Sequence, residues 1–409
     1  MYSNMNKKIC ILTNGCPENR IDSARMQEFF KQNGYIITSK LRQADIIIFN
    51  TCALTKESEN ASINIIKQIG QVKRPSAELI VSGCITKINK ELLRTVYQCP
   101  IFGSDDLQKL DEIFNPKINS KNIYANFLLN QTKFINRFRW TAVSLGSKGS
   151  LGIILKLIEK GRDKHDRLVD VCNPHTFCIK VATGCLGNCS FCAVRISRGK
   201  LKSKPIDNII KEFQEGLNKG YKDFALIGTE VGAYGKDLGI NLVVLLEELI
   251  NKPGDYKIRL RNAHPKFLIE MMPQLRRIFK SGKISFLASA AESGNNRILK
   301  LMNRGYNIED FKGAIQTLNQ EFPQIRLRTQ LMVGFPSETE EEFQDTARLL
   351  EELHFDFAEV YRFQARPGTE AAKMKQQVPV NVAKRRSLRL LVKALFNERK
   401  RKNENKRNL

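Results

Sequence analysis

In Cys178-Ile-Lys-Val-Ala182-Thr-Gly-Cys185-Leu-Gly-Asn-Cys189-Ser-Phe-Cys192, an apolar run reads as a strand near Cys178–Ala182 and gives way at once to a C-x3-C-x2-C cluster. From here strands and helices alternate. Further strands are predicted near Phe224–Ile227, Lys257–Leu260, Ile284–Leu287, Arg326–Met332 and Phe355–Tyr361, with helices such as Ile206–Leu217, Leu242–Ile250 and Glu340–Leu353 between them. Six strand–helix units without room for eight read as an α/β fold of the partial (β/α)6 barrel kind, over residues 175–375. In such a fold the site belongs at the carboxyl ends of the strands, and the cysteine cluster follows the first of them.

The chain opens on the same pattern. Ile9–Leu12, Ile46–Asn50 and Leu79–Ser82 suit buried parallel strands, and the stretches from Ser23 to Asn33 and from Ala61 to Val72 suit helices, so residues 1–125 read as an N-terminal open parallel α/β domain. Cys16 in Asn14-Gly-Cys16, Cys52 in Asn50-Thr-Cys52 and Cys84 in Ser82-Gly-Cys84 each fall just past a strand. Ligands bind at that edge of open parallel sheets, so three thiols there could converge on one centre. Packing is the plainer use of a cysteine, and it suits Cys10 and Cys99, which lie inside or beside apolar segments.

Residues 126–174 break the alternation. They hold Arg137-Phe-Arg-Trp140, a Gly/Ser-rich stretch from Gly146 to Gly152, a helical Ile153–Lys160 and a mixed-charge run from Arg162 to Asp170. With nine Lys/Arg against four Asp/Glu between positions 130 and 173, this is a basic linker or insertion. Trp140 either stacks on a nucleobase or docks the linker on a domain. Cys172, His175 and Cys178 match no compact zinc pattern. Residues 376–409 read as a C-terminal helix, Val382–Phe396, and a basic tail.

Across its 409 residues the chain is 42% hydrophobic and 27% charged, the composition of a soluble globular protein. No apolar run approaches the roughly 20 residues of a membrane span, and the N-terminus lacks the apolar core of a secretory signal. The reading is cytoplasmic, with no membrane partner. Lys plus Arg at 67 against Asp plus Glu at 42 leaves +25, which favours a polyanionic partner, nucleic acid first. A lysine-rich surface with no ligand behind it is the bland alternative. Ten cysteines in a cytoplasmic chain argue for metal ligation or redox chemistry over disulfides.

Cys185, Cys189 and Cys192 offer three thiolates within eight residues. Three thiolates from one loop can hold three irons of a 4Fe-4S cube and leave the fourth open to a small molecule. Zinc is the alternative, but it would call for a fourth Cys or His, and the loop has none.

At these residues the chain resembles the radical S-adenosylmethionine enzymes, and more fully their methylthiotransferases of the MiaB, RimO and MtaB kind. The resemblance rests on Asn14-Gly-Cys16-Pro-Glu-Asn19 with Asp22-Ser23 and Met26, on Asn50-Thr-Cys52, Ser82-Gly-Cys84 and Phe102-Gly-Ser-Asp105, and on Ala182-Thr-Gly-Cys-Leu-Gly-Asn-Cys-Ser-Phe-Cys192 with Arg198-Gly199. It continues in Glu292-Ser-Gly294, Leu301-Met-Asn-Arg-Gly-Tyr306, Val333-Gly-Phe-Pro336 with Glu338-Thr339, and Arg366-Pro-Gly-Thr369, covering about residues 8 to 395. It implies two 4Fe-4S clusters. One, on Cys185, Cys189 and Cys192, would bind and reductively cleave S-adenosylmethionine to make a radical that abstracts hydrogen. The other, on Cys16, Cys52 and Cys84, would deliver sulfur, which a second S-adenosylmethionine methylates. A low-potential electron donor and a sulfur donor are implied partners.

The wording of the cysteine loop, with Gly232-Ala-Tyr-Gly-Lys-Asp237, looks most like the archaeal and eukaryotic branch that thiomethylates N6-threonylcarbamoyladenosine beside the tRNA anticodon. A basic chain suits tRNA, because neutralised phosphates supply affinity. The same chemistry on a protein or peptide, or a non-catalytic iron–sulfur RNA-binding role, are the alternatives. No strand-rich segment of the small C-terminal TRAM β-barrel type is evident. From Lys384 to Leu409 eleven Lys/Arg stand against two Asp/Glu, a tail that either grips RNA electrostatically or is merely solvated.

Candidate cofactor-binding residues are Glu230, Arg259, Glu292, Ser293 and Gln330. Glu230 could accept from the amino group of the methionine moiety and Arg259 could pair its carboxylate. Glu292 and Gln330 depart from the family's usual Gln and Asp, and both lie at strand ends facing the expected pocket. Lys200, Lys202 and Lys204 form a basic run where an RNA phosphate could approach, or else a solvated face.

Overall fold

The computed structural model describes residues 7–98, 100–104, 106–136 and 175–407, with side chains as far as 395. Cys99, Asp105, Cys172, Trp140 and the rest of the basic linker beyond 136, and the side chains of the terminal tail, lie outside the described residues. By their contacts the residues form two compact units, Met1–Lys180 with Ala193–Gly199, and Val181–Cys192 with Lys200–Leu409. The chain thus passes from one unit to the other on both sides of the cysteine loop.

The first unit is built on β1 (Lys8–Thr13), β2 (Ile36–Ile37), β3 (Ile46–Thr51), β4 (Glu78–Gly83) and β5 (Ile101–Phe102), parallel and ordered β2-β1-β3-β4-β5. KICILT, IIIFNT and ELIVSG are apolar on successive residues because both faces of this sheet are covered. On one face Met26, Phe29 and Phe30 of α1 (Pro17–Gln32) pack with Phe102, Leu110 and Phe114. On the other, Ile63, Ile65, Ile66 and Ile69 of α2 (Lys56–Val72) meet Ile47, Phe49 and Val81. A capping box of Thr55 and Ser58 starts α2. Helix α1 begins at Pro17, six residues before the predicted start, since proline at the first position is preset for a helix and needs no N–H partner. Short α3 (Ile85–Ile88), α4 (Lys90–Val96) and α5 (Lys109–Phe114) complete the layer. Later segments, β6 (Thr176–Lys180) and α6 (Val194–Arg198), belong to this unit as well.

The strand order reverses between β1 and β3, which is where an open sheet leaves a crevice at its carboxyl edge. Cys16 follows β1, Cys52 is the residue after β3 and Cys84 the residue after β4, so the three thiols stand on neighbouring strands around that crevice. Cys10, in contrast, is wholly buried within β1, and burial pushes its thiol up to about 12. It packs, as expected.

In the second unit β7 (Ala182–Thr183) and β8 (Lys202–Ser203) pair antiparallel. The single predicted strand Cys178–Ala182 therefore divides at Val181. Then β9 (Asp223–Ile227), β10 (Lys257–Leu260), β11 (Ile284–Ala288), β12 (Arg326–Val333) and β13 (Phe357–Arg362) lie side by side in chain order, all parallel. Helices α7 (Ile206–Asn218), α8 (Leu242–Ile250), α9 (Pro265–Lys280), α10 (Asn296–Leu301), α11 (Ile308–Glu321) and α12 (Glu340–Glu352) separate them. This is the alternation of a partial (β/α) barrel. Helix α13 runs from Val380 to Arg407, well beyond the predicted Phe396. Among the described residues no helix is long and apolar enough to cross a membrane.

Candidate functional site

In the first unit a lattice of side-chain amides holds the three cysteine loops together. Asn14 Oδ1 accepts the Cys52 amide at 2.9 Å, and Asn14 Nδ2 donates to Ser62 Oγ, which in turn donates to the Cys52 carbonyl. Asn19 Nδ2 donates to the Thr51 carbonyl at 2.8 Å, and the Cys84 amide donates to the same carbonyl at 3.0 Å. Asn19 Oδ1 lies 4.0 Å from Cys16 Sγ and 3.9 Å from Cys84 Sγ. Gly83 takes φ +95°, and a Cβ there would stand 2.4 Å from the Thr51 carbonyl oxygen, so glycine is what lets β4 turn into Cys84 beside β3.

Cys16, Cys52 and Cys84 line one pocket, floored by Asn19 and Arg198. Cys16 is exposed and the other two are buried. Burial, then the neighbouring Cys84 and Cys16, push the Cys52 thiol up to about 12. Burial also raises Cys84, but the Arg198 guanidinium works against it. Arg198 is itself buried and held by Asp22 at 2.5 Å and Glu18 at 3.4 Å, and it donates to Asn19 Oδ1. Lys180 joins Asp22 at 2.6 Å. Burial would lift the Asp22 carboxyl, but Lys180 and Arg198 overcome it and hold it below the usual range. A cation anchored behind three thiols suits ligands that bind as thiolates, and an all-thiol donor set is the one iron–sulfur clusters use.

In the second unit the loop Cys185–Cys192 follows β7. Gly184, at φ +76°, donates its amide to Thr229 Oγ1, and the Gly187 amide donates to Cys185 Sγ at 3.1 Å. A Cβ on Gly187 would lie 3.2 Å from Cys185 Sγ and 3.8 Å from Cys189 Sγ, so this glycine sits between two thiols. The segment Leu301–Arg304 staples the loop: Ser190 bonds to the Met302 and Leu301 carbonyls, and Asn303 Nδ2 donates to the Asn188 carbonyl. Buried Arg304 donates from Nη1 to Cys189 Sγ at 3.5 Å and from Nη2 to the Ala290 carbonyl. Burial, then the nearby Glu230 carboxylate, push the Cys185 thiol up to about 12. The donor set again consists of thiols with a buried cation beside them. Among the described residues no group of three or more His, Cys, Asp or Glu side chains is arranged around a single metal ion.

The other predicted residues separate. Glu230 is buried next to the loop, its Oε1 accepting the Gly232 and His264 amides at 2.8 and 2.9 Å, and burial pushes its carboxyl up to about 7. Glu292 holds a left-handed backbone, φ 64°, fixed by its amide to the Gln330 carbonyl and its carbonyl to the Met332 amide. Burial raises its carboxyl, against the pull of Arg304. Ser293 Oγ lies 3.3 Å from Thr346 Oγ1 on α12, and Gln330 Nε2 donates to Glu359 Oε2 at 2.6 Å. Arg259 Nε bonds Asp223, the residue that opens β9, at 2.7 Å. Lys204 pairs with Glu212 at 2.6 Å, which takes it out of the basic run.

Arg304, Arg198, Asn19 and Asp22 surround the cysteines in a way that motif spacing does not reveal. All four stand in the segments that carry the resemblance, yet Arg198 meets Asn19 and Asp22 across 179 and 176 residues of chain.

Residues 8–102 match the family described as "Uncharacterized protein family UPF0004", and residues 179–350 match the "Radical SAM superfamily". A probable threonylcarbamoyladenosine tRNA methylthiotransferase of Methanocaldococcus jannaschii is 30% identical over 387 residues, 94% of this chain and 82% of that protein. A tRNA-2-methylthio-N(6)-dimethylallyladenosine synthase of Staphylococcus epidermidis is 32% identical over 404 residues, 95% of this chain and 72% of that protein. Among solved structures the radical S-adenosylmethionine methyltransferase TsrM of Kitasatospora setae shares the fold, with a TM-score of 0.57 at 12% identity over 89% of this chain and 75% of that one.

Proposed function

We propose, from the premise that this chain belongs to the radical S-adenosylmethionine methylthiotransferases, that it replaces a C–H hydrogen of N6-threonylcarbamoyladenosine, next to the tRNA anticodon, with a methylthio group. The coarser statement holds for the family: a transferase that methylthiolates tRNA, with two 4Fe-4S clusters and S-adenosylmethionine as cofactors. When bound, those groups supply reductive cleavage of S-adenosylmethionine and the sulfur to be inserted.

In this reading Cys185, Cys189 and Cys192 hold the cluster that engages S-adenosylmethionine, and Cys16, Cys52 and Cys84 hold the auxiliary one. The observation that carries it is the pair of three-thiol sites, each in its own unit, each at a strand's carboxyl end and each beside a buried arginine. The Gly187 amide and Arg304 donate to the loop sulfurs and stabilise them as thiolates. In the same reading Glu230, whose Oε1 accepts two backbone amides beside Cys185, receives the amino group of the methionine moiety. Arg198, which lines the first unit's pocket, opposes by its charge the upward push of burial on Cys84. Arg259, expected to pair the methionine carboxylate, bonds Asp223.

Among adenosine substrates, the loop wording and the M. jannaschii relative favour threonylcarbamoyladenosine. The test is anaerobic turnover with tRNA carrying either threonylcarbamoyl- or dimethylallyladenosine, followed by nucleoside mass spectrometry. The methylthio product is expected from the first tRNA. Product from the dimethylallyl tRNA alone would reject this substrate.

A further inference from the structure

One face of the second unit's sheet carries a run of polar side chains. In register, Arg259 opposes Phe286, Phe286 opposes Arg326, Ala288 opposes Arg328 and Gln330 opposes Glu359. Alternation along the strands therefore sets Arg259, Arg328, Gln330 and Glu359 on one face and carries Arg261, the residue after β10, onto it as well. The opposite face of β12 is apolar and closed, with Leu327, Leu331 and Val333 at 2% exposure or less.

The neighbours of Arg261 are committed. Arg259 is bonded to Asp223, while Arg328 donates to Glu359 Oε1 and Gln330 to Glu359 Oε2, so each oxygen of that carboxylate already accepts one bond. Arg261, partly buried, makes no hydrogen bond or ion pair among the described residues. It acts on Glu359 and Tyr361 only at a distance: burial would raise the Glu359 carboxyl, and Arg328, with Arg261 behind it, keeps it below the usual range. A guanidinium withdrawn from water without a partner is unfavourable, and a planar carboxylate is the group its fork fits best.

The reaction proposed above brings two carboxylates, that of the methionine moiety and that of the threonylcarbamoyl group. The cation beside the cysteine loop is Arg304, which touches Cys189 and acts on Glu230. The one carboxylate that Arg261 acts on, Glu359, lies instead on β13, four strands along from β9. We propose that Arg261 reads the carboxylate on the N6 substituent of the substrate adenosine and so separates it from adenosines whose N6 substituent is hydrocarbon. This rests on the substrate reading above.

The experiment uses full-length reconstituted enzyme with tRNA bearing threonylcarbamoyladenosine, and with the same tRNA after methyl esterification of that carboxylate. Wild type, Arg261→Gln and Arg261→Lys are compared by KM for tRNA, kcat, and KM for S-adenosylmethionine in tRNA-free 5′-deoxyadenosine formation. Arg261→Gln should raise the KM for the acid tRNA about 10- to 100-fold, Arg261→Lys should recover part of it, and the S-adenosylmethionine KM should stay within about twofold. Wild type should show the same rise with the ester, and the ester should cost Arg261→Gln nothing further. Should Arg261→Gln lose iron or stability, the acid–ester comparison on wild type decides alone. Equal use of acid and ester by wild type overturns the inference, as does a raised S-adenosylmethionine KM in Arg261→Gln. A wild type that modifies neither tRNA rejects the substrate reading, and this inference with it.

Discussion

Replacing Cys185, Cys189 and Cys192 together by alanine is expected to abolish 5′-deoxyadenosine formation from S-adenosylmethionine, a fall of about a thousandfold or more, while the first unit keeps its iron. The size of the effect follows from what the loop holds. The loop backbone is tied to Leu301–Asn303 and Gly184 to Thr229 by bonds that do not involve sulfur, so the loop survives the substitution and only the ligands go. Arg304 then loses its sulfur partner but keeps the Ala290 carbonyl. The checks are iron counting beside product chromatography. A variant that retains cleavage would place the cofactor elsewhere.

The second large effect is on stability. Arg198→Met is expected to destabilise the first unit by about 3–5 kcal/mol, measured by urea denaturation of the cluster-free protein. Asp22 has no exposed side chain and that of Arg198 is 2% exposed, so removing the guanidinium strands a buried carboxylate that Lys180 alone must balance. Asp22→Asn should cost less, and the double variant should cost less than the two single losses added, because each removes a charge that the other no longer needs. Additive losses would mean that the two groups do not share one network. The variant should also bind iron poorly at Cys16, Cys52 and Cys84, because Arg198 opposes the upward push on Cys84.

Much of this architecture is written in local pattern. Lys257–Leu260 and Leu242–Ile250 form as predicted to the residue, since short apolar runs with clear period need no distant information. The placing of Cys16, Cys52 and Cys84 at strand ends was equally legible. Their convergence depends on the strand order β2-β1-β3-β4-β5, which pattern alone does not specify. The first helix was predicted too short because Pro17-Glu-Asn-Arg lacks apolar period; its charged and polar residues are buried there by the ion network, with Asn19 and Asp22 wholly enclosed. The pocket was harder to read. Glu230 lies beside the loop as a strand-end carboxylate should, but Arg259 was assigned from charge and position, and charge does not say which partner, Asp223, will be nearer. Arg304 and Arg198 escaped because an arginine's task is set by what folds onto it.

The measurement that bears most directly on the two-centre account is iron content and S-adenosylmethionine cleavage in the triple variant Cys16→Ala, Cys52→Ala, Cys84→Ala. Reconstituted wild type should hold about eight irons and the variant about four, with 5′-deoxyadenosine formation retained and methylthiolated tRNA absent. Unchanged iron, or loss of cleavage in step with loss of methylthiolation, would contradict two separately held centres with divided tasks.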